Sequence, residues 1–182
     1  MIRFAILLLL ISWSAATAQE KMVRRSLTPA ISLRLPESFA PMTPEDITLR
    51  YPSVRQPLGA FTDADRMADF SVNVSATQWP DGDVEFARGF FKASIYNMFD
   101  KVNMLQEGIR VQHKKKYIFF EFDSRMRTDR NSGTSDALGR YTYIMYLVEP
   151  KRTLVISFNC LDDVRERWRP LAGQIMQSVR VK

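Results

Sequence analysis

The stretch that decides the fold runs from Ile118 to Cys160: IFFEFDSRMRTDRNSGTSDALGRYTYIMYLVEPKRTLVISFNC. Ile118, Phe120 and Phe122 alternate with Phe119, Glu121 and Asp123, the two-residue period of a strand. Tyr141 to Val148 and Leu154 to Cys160 read as two more strands, joined by a turn at Pro150-Lys151. The polar run Asp129 to Gly139 is a hairpin loop longer than the usual two to five residues. Consecutive strands with no crossover helix between them run antiparallel, because parallel neighbours need a long, usually helical, connection.

Outward from this core the pattern changes to helix on both sides. Downstream, Asp162 and Asp163 open a closing helix whose inner face is Val164, Trp168, Leu171, Ile175 and Val179. Pro170 lies inside it, removes one backbone donor, and predicts a kink or a division into two pieces. Upstream, Ile109 and Val111 alternate as a strand, preceded by the longest helical pattern in the chain. Val84, Ala87, Phe91, Ile95, Met98 and Val102 recur at steps of three and four, predicting a helix laid on a sheet. Trp79-Pro80-Asp81-Gly82 is turn chemistry before it, with Asp81 as the predicted N-cap. Further upstream, Phe70, Val72, Val74 and Ala76 alternate as a strand, and Gly59 to Thr62 is a brief one. Thr43-Pro44-Glu45-Asp46 starts a short helix: a hydroxyl cap, proline at the first position, carboxylates at the positive end of the dipole. Ile31, Leu33 and Leu35 alternate with Ser32 and Arg34 as a half-buried strand ended by Pro36, with Phe39 folding back onto the core. The architecture these elements predict is α+β, an antiparallel sheet covered by helices.

The first residues read as an export signal. Met1-Ile2-Arg3 is a short basic start, and FAILLLLISW (Phe4 to Trp13) is an apolar run too short to cross a hydrocarbon core of about 30 Å. Ala16 and Ala18 fit the small-residue subsites of a signal peptidase, so residues 1–18 are expected to be cleaved and Gln19 to become the N-terminus. No cysteine stands near the cleavage point to carry a lipoprotein anchor, and no later stretch of about 20 apolar residues occurs. The mature protein is therefore expected in a periplasm or outside the cell. Gln19 to Pro29, with basic residues at Lys21, Arg24 and Arg25 and no clear period, reads as a flexible leader. Residues 30–182 are left as one domain, a length that needs neither metal nor disulfides to fold.

Composition removes several chemistries. One cysteine cannot form an internal disulfide, and one histidine cannot build a multi-histidine metal site. The net charge of +6, one unit less once Arg3 is removed, favours solubility and loose attraction to anionic surfaces rather than nucleic acid, which an exported protein seldom meets. No phosphate-cradling glycine loop and no G-x-S-x-G turn occurs, and no cofactor is expected. Cys160 ends an alternating strand on the face of Leu154, Ile156 and Phe158, so it reads as a small buried hydrophobe rather than a nucleophile. Asp63, Asp65 and Asp69 resemble the start of a calcium loop, but Ala68 and Val74 stand where an EF-hand loop needs glycine and glutamate. A solvated turn is the simpler reading. The remaining candidate is basic: Lys114, Lys115 and Lys116 beside His113, with Arg125, Arg127 and Arg130 on the next strand and loop. A hairpin that brought the two groups together would make an anion or partner contact surface.

The segments ISLRLPESF (Ile31 to Phe39) and WRPLAGQIMQSVRV (Trp168 to Val181) frame the long helix and the three long strands. With Leu35-Pro36-Glu37 and Ile175-x-x-Ser178-Val179, this order of elements resembles the PsbP-like family over Ala30 to Lys182. That fold is shared by a photosystem II extrinsic protein and a Ran-binding nucleotide-release factor. The resemblance implies an α/β/α sandwich and a scaffolding or binding role, and it carries over no catalytic residue. The expected function is an exported, non-enzymatic binding or adaptor module that contacts another exported or envelope protein. The alternative is a periplasmic carrier or sensor of a small or anionic ligand, using a basic surface near Lys114–Lys116 and Arg125–Arg130.

Overall fold

In the computed structural model the described residues, 20–52, 55–77, 79, 83–126 and 138–182, form ten strands and three α-helices. In order they are β1 (Met22–Thr28), β2 (Ile31–Pro36), β3 (Ala40–Pro41), α1 (Pro44–Arg50), β4 (Gly59–Thr62), β5 (Ala68–Val74) and α2 (Val84–Met98). Then come β6 (Lys101–Gln112), β7 (Lys115–Met126), β8 (Leu138–Glu149), β9 (Arg152–Leu161), α3 (Arg165–Ser178) and β10 (Arg180–Val181). A single 3₁₀ turn, Asp162–Val164, leads into α3. The main sheet has seven strands in the order β3-β4-β5-β9-β8-β7-β6, and a second has three in the order β1-β2-β10. All the pairings are antiparallel, as the run of strands without crossover helices predicts.

The main sheet is apolar on both faces because both are covered. Ile118, Phe120 and Phe122 of β7 point towards α2 and pack with Ala87, Phe91, Ile95 and Tyr146, whose ring stacks on Phe91 at 3.8 Å. Tyr117 and Phe119, on the opposite face of the same strand, join the larger core with Phe70, Ile156, Phe158 and Trp168. Trp168 of α3 is fully buried and meets the ring of Phe39 edge-on at 5.3 Å. Arg169 ties α3 to the sheet by donating to the buried Glu121 at 2.9 Å. The small sheet lies on the α3 side, its inner face supplied by Ile31, Leu33, Leu35 and Val181. The result is an α+β sandwich: α2, the main sheet, then α3 with the small sheet.

Local details depart from the sequence reading in five places. Residues 22–28 are not a flexible leader but strand β1, paired with β2 from Met22↔Pro36 to Thr28↔Ile31. A register irregularity between Ser26 and Thr28 breaks the two-residue period, so the alternation is invisible locally although Met22 and Leu27 pack on the core. The long helix stops at Met98, with Phe99 extended, and Val102 belongs to β6. Pairing of Lys101 with Arg125 starts the β6–β7 ladder and outweighs the continuing helical period. The α2 cap is Asp83, whose carboxylate accepts from the Phe86 N–H at 3.1 Å, while Asp81, the expected cap, lies outside the described residues. Helix α3 runs unbroken through Pro170, held across the missing bond by the buried Trp168 and the Arg169–Glu121 pair. The expected polar loop gives Leu138 and Gly139 to β8, while residues 1–19 and 127–137 lie outside the described residues.

Candidate functional site

The two basic groups singled out in the sequence do not meet. His113 and Lys114 form the two-residue tip of the β6–β7 hairpin between Gln112 and Lys115, both with positive φ (49° and 67°), the geometry of a primed turn. Lys115 turns back to Glu149 at 2.7 Å and to the Lys182 carbonyl at 3.3 Å, while Lys114 and Lys116 stay exposed. Arg125 is exposed at the far end of the same strand, opposite Lys101. At about 3.3 Å per residue, β7 holds the groups roughly 30 Å apart. Arg125 instead lines a concavity of about 380 Å³ with Lys101, Asp123, Asp162 and Arg165, in which charges of both signs already face one another. Arg127 and Arg130 lie outside the described residues.

What the fold does gather at the tip end is a set of arginines that no sequence window contains. Arg24 of β1 stands directly opposite Arg34 of β2, and Arg180 of β10 stands opposite Ser32. With Ser178 and His113 they line a concavity of about 310 Å³. Arg24 donates to the Ser32 hydroxyl at 3.3 Å, and Ser178 fixes the end of α3 to β2 by accepting the Arg34 N–H at 2.8 Å. Arg24 and Arg34 are ten residues apart, but Arg180 is at the other end of the chain; only the β2–β10 pairing brings it in. The one signal available beforehand is that Arg34 falls on the polar side of the β2 alternation.

A second surface lies on the flank of α2. The rings of Phe86 and Phe90 meet Trp79 at 5.7 and 5.1 Å, yet the two side chains remain 66% and 45% exposed. Tyr96 and Met98 are also exposed on this helix. The helical period accounts for the inner stripe; the aromatic flank beside it was not singled out, although F86-x-x-x-F90 is visible as an i,i+4 pair.

The acidic and thiol candidates resolve into structural roles. Asp63 is buried and accepts the Met67 and Ala68 N–H groups at 2.8 Å each, closing the turn between β4 and β5. Asp69 accepts from Asn159 at 3.0 Å, Tyr51 at 3.2 Å and Arg50 at 3.4 Å, while Asp65 faces solvent. Burial raises the Asp69 carboxyl above its ordinary range against these donors. The three carboxylates point to different partners, and among the described residues no group of three or more His, Cys, Asp or Glu converges to hold a metal ion. Cys160 is buried, and burial followed by the nearby Asp69 pushes its thiol up to about 12. It pairs with Tyr141, itself opposite Asp123, which places it at the Arg125 end of the sheet, away from His113. A thiol nucleophile there has no imidazole to activate it.

No protein-family model matches the chain, and no curated protein matches it. Solved structures do. CyanoP, the PsbP of the cyanobacterium Synechocystis sp. PCC 6803, superposes with a TM-score of 0.56 over 94% of this chain and 99% of its own, at 13% identity. The fold is PsbP-like. The Ran-binding protein Mog1p of Saccharomyces cerevisiae aligns over 90% of this chain and 96% of its own, with a TM-score of 0.55 and 13% identity. LpqN of Mycobacterium tuberculosis, described as involved in cell envelope biogenesis, aligns over 90% of this chain and 91% of its own, at 0.52 and 13%. The PsbP-like resemblance seen in the framing segments of the sequence thus holds at the level of architecture.

Proposed function

We propose that this PsbP-like chain is an exported, non-enzymatic binding or adaptor module that acts by contacting another protein. The observation that carries the reading is the aromatic flank of α2. Large apolar side chains exposed together, rather than singly, mark interaction surfaces, and aromatic residues dominate the energetics of such contacts. Phe86 and Phe90 are held by Trp79, so little side-chain freedom remains to be lost on docking. The neighbours support the reading: Mog1p is described as a Ran-binding protein, and LpqN as involved in envelope biogenesis. Residues 1–18 act as the cleaved signal, residues 30–182 with β1 form the working domain, and the partner is an exported or envelope protein. Among the described residues no helix is long and apolar enough to cross a membrane.

The test is a cross-linked pull-down from the native envelope and medium, with the parent chain and Phe86→Glu/Phe90→Glu as baits. Both rings pack on Trp79, so the variant is expected to melt somewhat below the parent and is used as bait at a temperature where its melting curve shows it folded. One protein recovered in near-stoichiometric amount by the parent and lost by the variant supports the proposal. Equal recovery by both baits removes the α2 flank as the contact.

A further inference from the structure

The outward face of the small sheet presents three cations and a hydroxyl to the concavity. Arg24, Ser32, Arg34 and Arg180 share that face, because directly opposed residues and residues two apart point the same way. Like charges placed opposite one another on a ladder destabilise it. No carboxylate relieves this repulsion: among the described residues none of the three arginines takes part in an ion pair. Nor is the face flat. Ser178 at the end of α3 and His113 at the hairpin tip wall it into the concavity of about 310 Å³, the lower end of the range for ligand sites.

We propose that this concavity binds a phosphate group, presented by a free phosphate or phosphate ester or by the headgroup of an anionic phospholipid. Guanidinium forks match phosphate oxygens two at a time, and three forks from three adjacent strands surround one compact anion that carries more than one charge. A single carboxylate, with two oxygens in one plane and one charge, would leave part of the cluster unpaired. The Ser32 hydroxyl, which accepts from Arg24, can donate its own proton to the same anion. The site shares no residue with the α2 flank, so this proposal and the protein-contact proposal fail independently.

The test uses the full chain at low ionic strength. Thermal unfolding is followed while inorganic phosphate or pyrophosphate is titrated, since an anion held by the native state raises the melting temperature. Co-sedimentation with phosphatidylglycerol–phosphatidylcholine vesicles, against phosphatidylcholine alone, separates a headgroup from a free phosphate. Arg34→Gln/Arg180→Gln is compared with Lys114→Gln/Lys116→Gln, which removes the same charge from the tip. The arginine variant is expected to bind at least about tenfold more weakly, the lysine variant to bind like the parent. Without phosphate, the arginine variant should melt no lower than the parent, because a repulsion has been removed. Should the double variant fail to fold, Arg24→Gln carries the same expectations. Equal weakening in the arginine and lysine variants would reduce the effect to diffuse attraction and overturn the site. So would a response to phosphate no larger than to chloride at matched ionic strength, or no response to phosphate, pyrophosphate or vesicles.

Discussion

Glu149 accepts from Lys115 at 2.7 Å and from Arg152 at 2.9 Å, at the point where β8 turns into β9. Burial opposes its ionisation, but the two hydrogen-bonded cations outweigh it and hold the carboxyl below its ordinary value of 4.5. A depressed carboxylate contributes stability that is fully present above that ordinary value and is lost as pH falls through the lower folded one. Glu149→Gln should therefore melt below the parent at neutral pH, and the gap should close under acid conditions; melting curves across pH check it. Cys160 makes a complementary case. Its thiol stays protonated and buried at neutral pH, so a thiol-reactive dye should leave the native protein unlabelled and label it fully once denaturant unfolds it. Fast labelling of the native state would reopen the reading of Cys160 as a reactive residue.

Among the elements, the β6–β7 hairpin sets twelve-residue strands around a two-residue tip that its residues suit poorly. His113 and Lys114 both occupy the left-handed region, where a side chain costs about 1–2 kcal/mol relative to glycine. Lys114→Gly should therefore raise stability by about 1 kcal/mol, read as a higher denaturant midpoint at unchanged slope. The hairpin existed in the sequence as two alternating runs with a basic break between them; β7, β8 and β9 were legible to within three residues at either end, but of β6 only the last residues were. Helix α2 was legible from its inner stripe, and its end was not. Val102 continues the helical period as well as any residue before it, and only the partner strand β7 decides that the chain is extended by Lys101. Pro170 shows the converse, since a local rule predicted a break that the packing of Trp168 and Arg169 holds closed.

At the scale of the whole molecule, β1 is the element that most changes the picture. It forms an edge of the small sheet, covers the core with Met22 and Leu27, and supplies one wall of the arginine concavity. A chain beginning at Pro29 should lose about 2 kcal/mol or more of stability, on the burial of those two side chains. A flexible leader would leave the melting temperature unchanged, so one pair of unfolding curves separates the readings. The candidate surfaces follow the same logic. The lysine run was legible because it is contiguous, but its supposed union with Arg125 ignored the length of β7. Arg24, Arg34 and Arg180 were not legible because their proximity depends on which strands neighbour one another.

The sequence by itself determined what repeats along the chain: the two-residue and 3.6-residue periods, the proline and glycine punctuation, the antiparallel class, and the chemistries that one cysteine and one histidine rule out. Those are local properties, written in residues a few positions apart. The tertiary structure alone decided which ends of strands share a surface, because that depends on register and strand order, fixed by burial on both faces of the sheet. For that reason the basic tip and Arg125 ended at opposite ends of the molecule, while three arginines from both ends of the chain came to face one concavity.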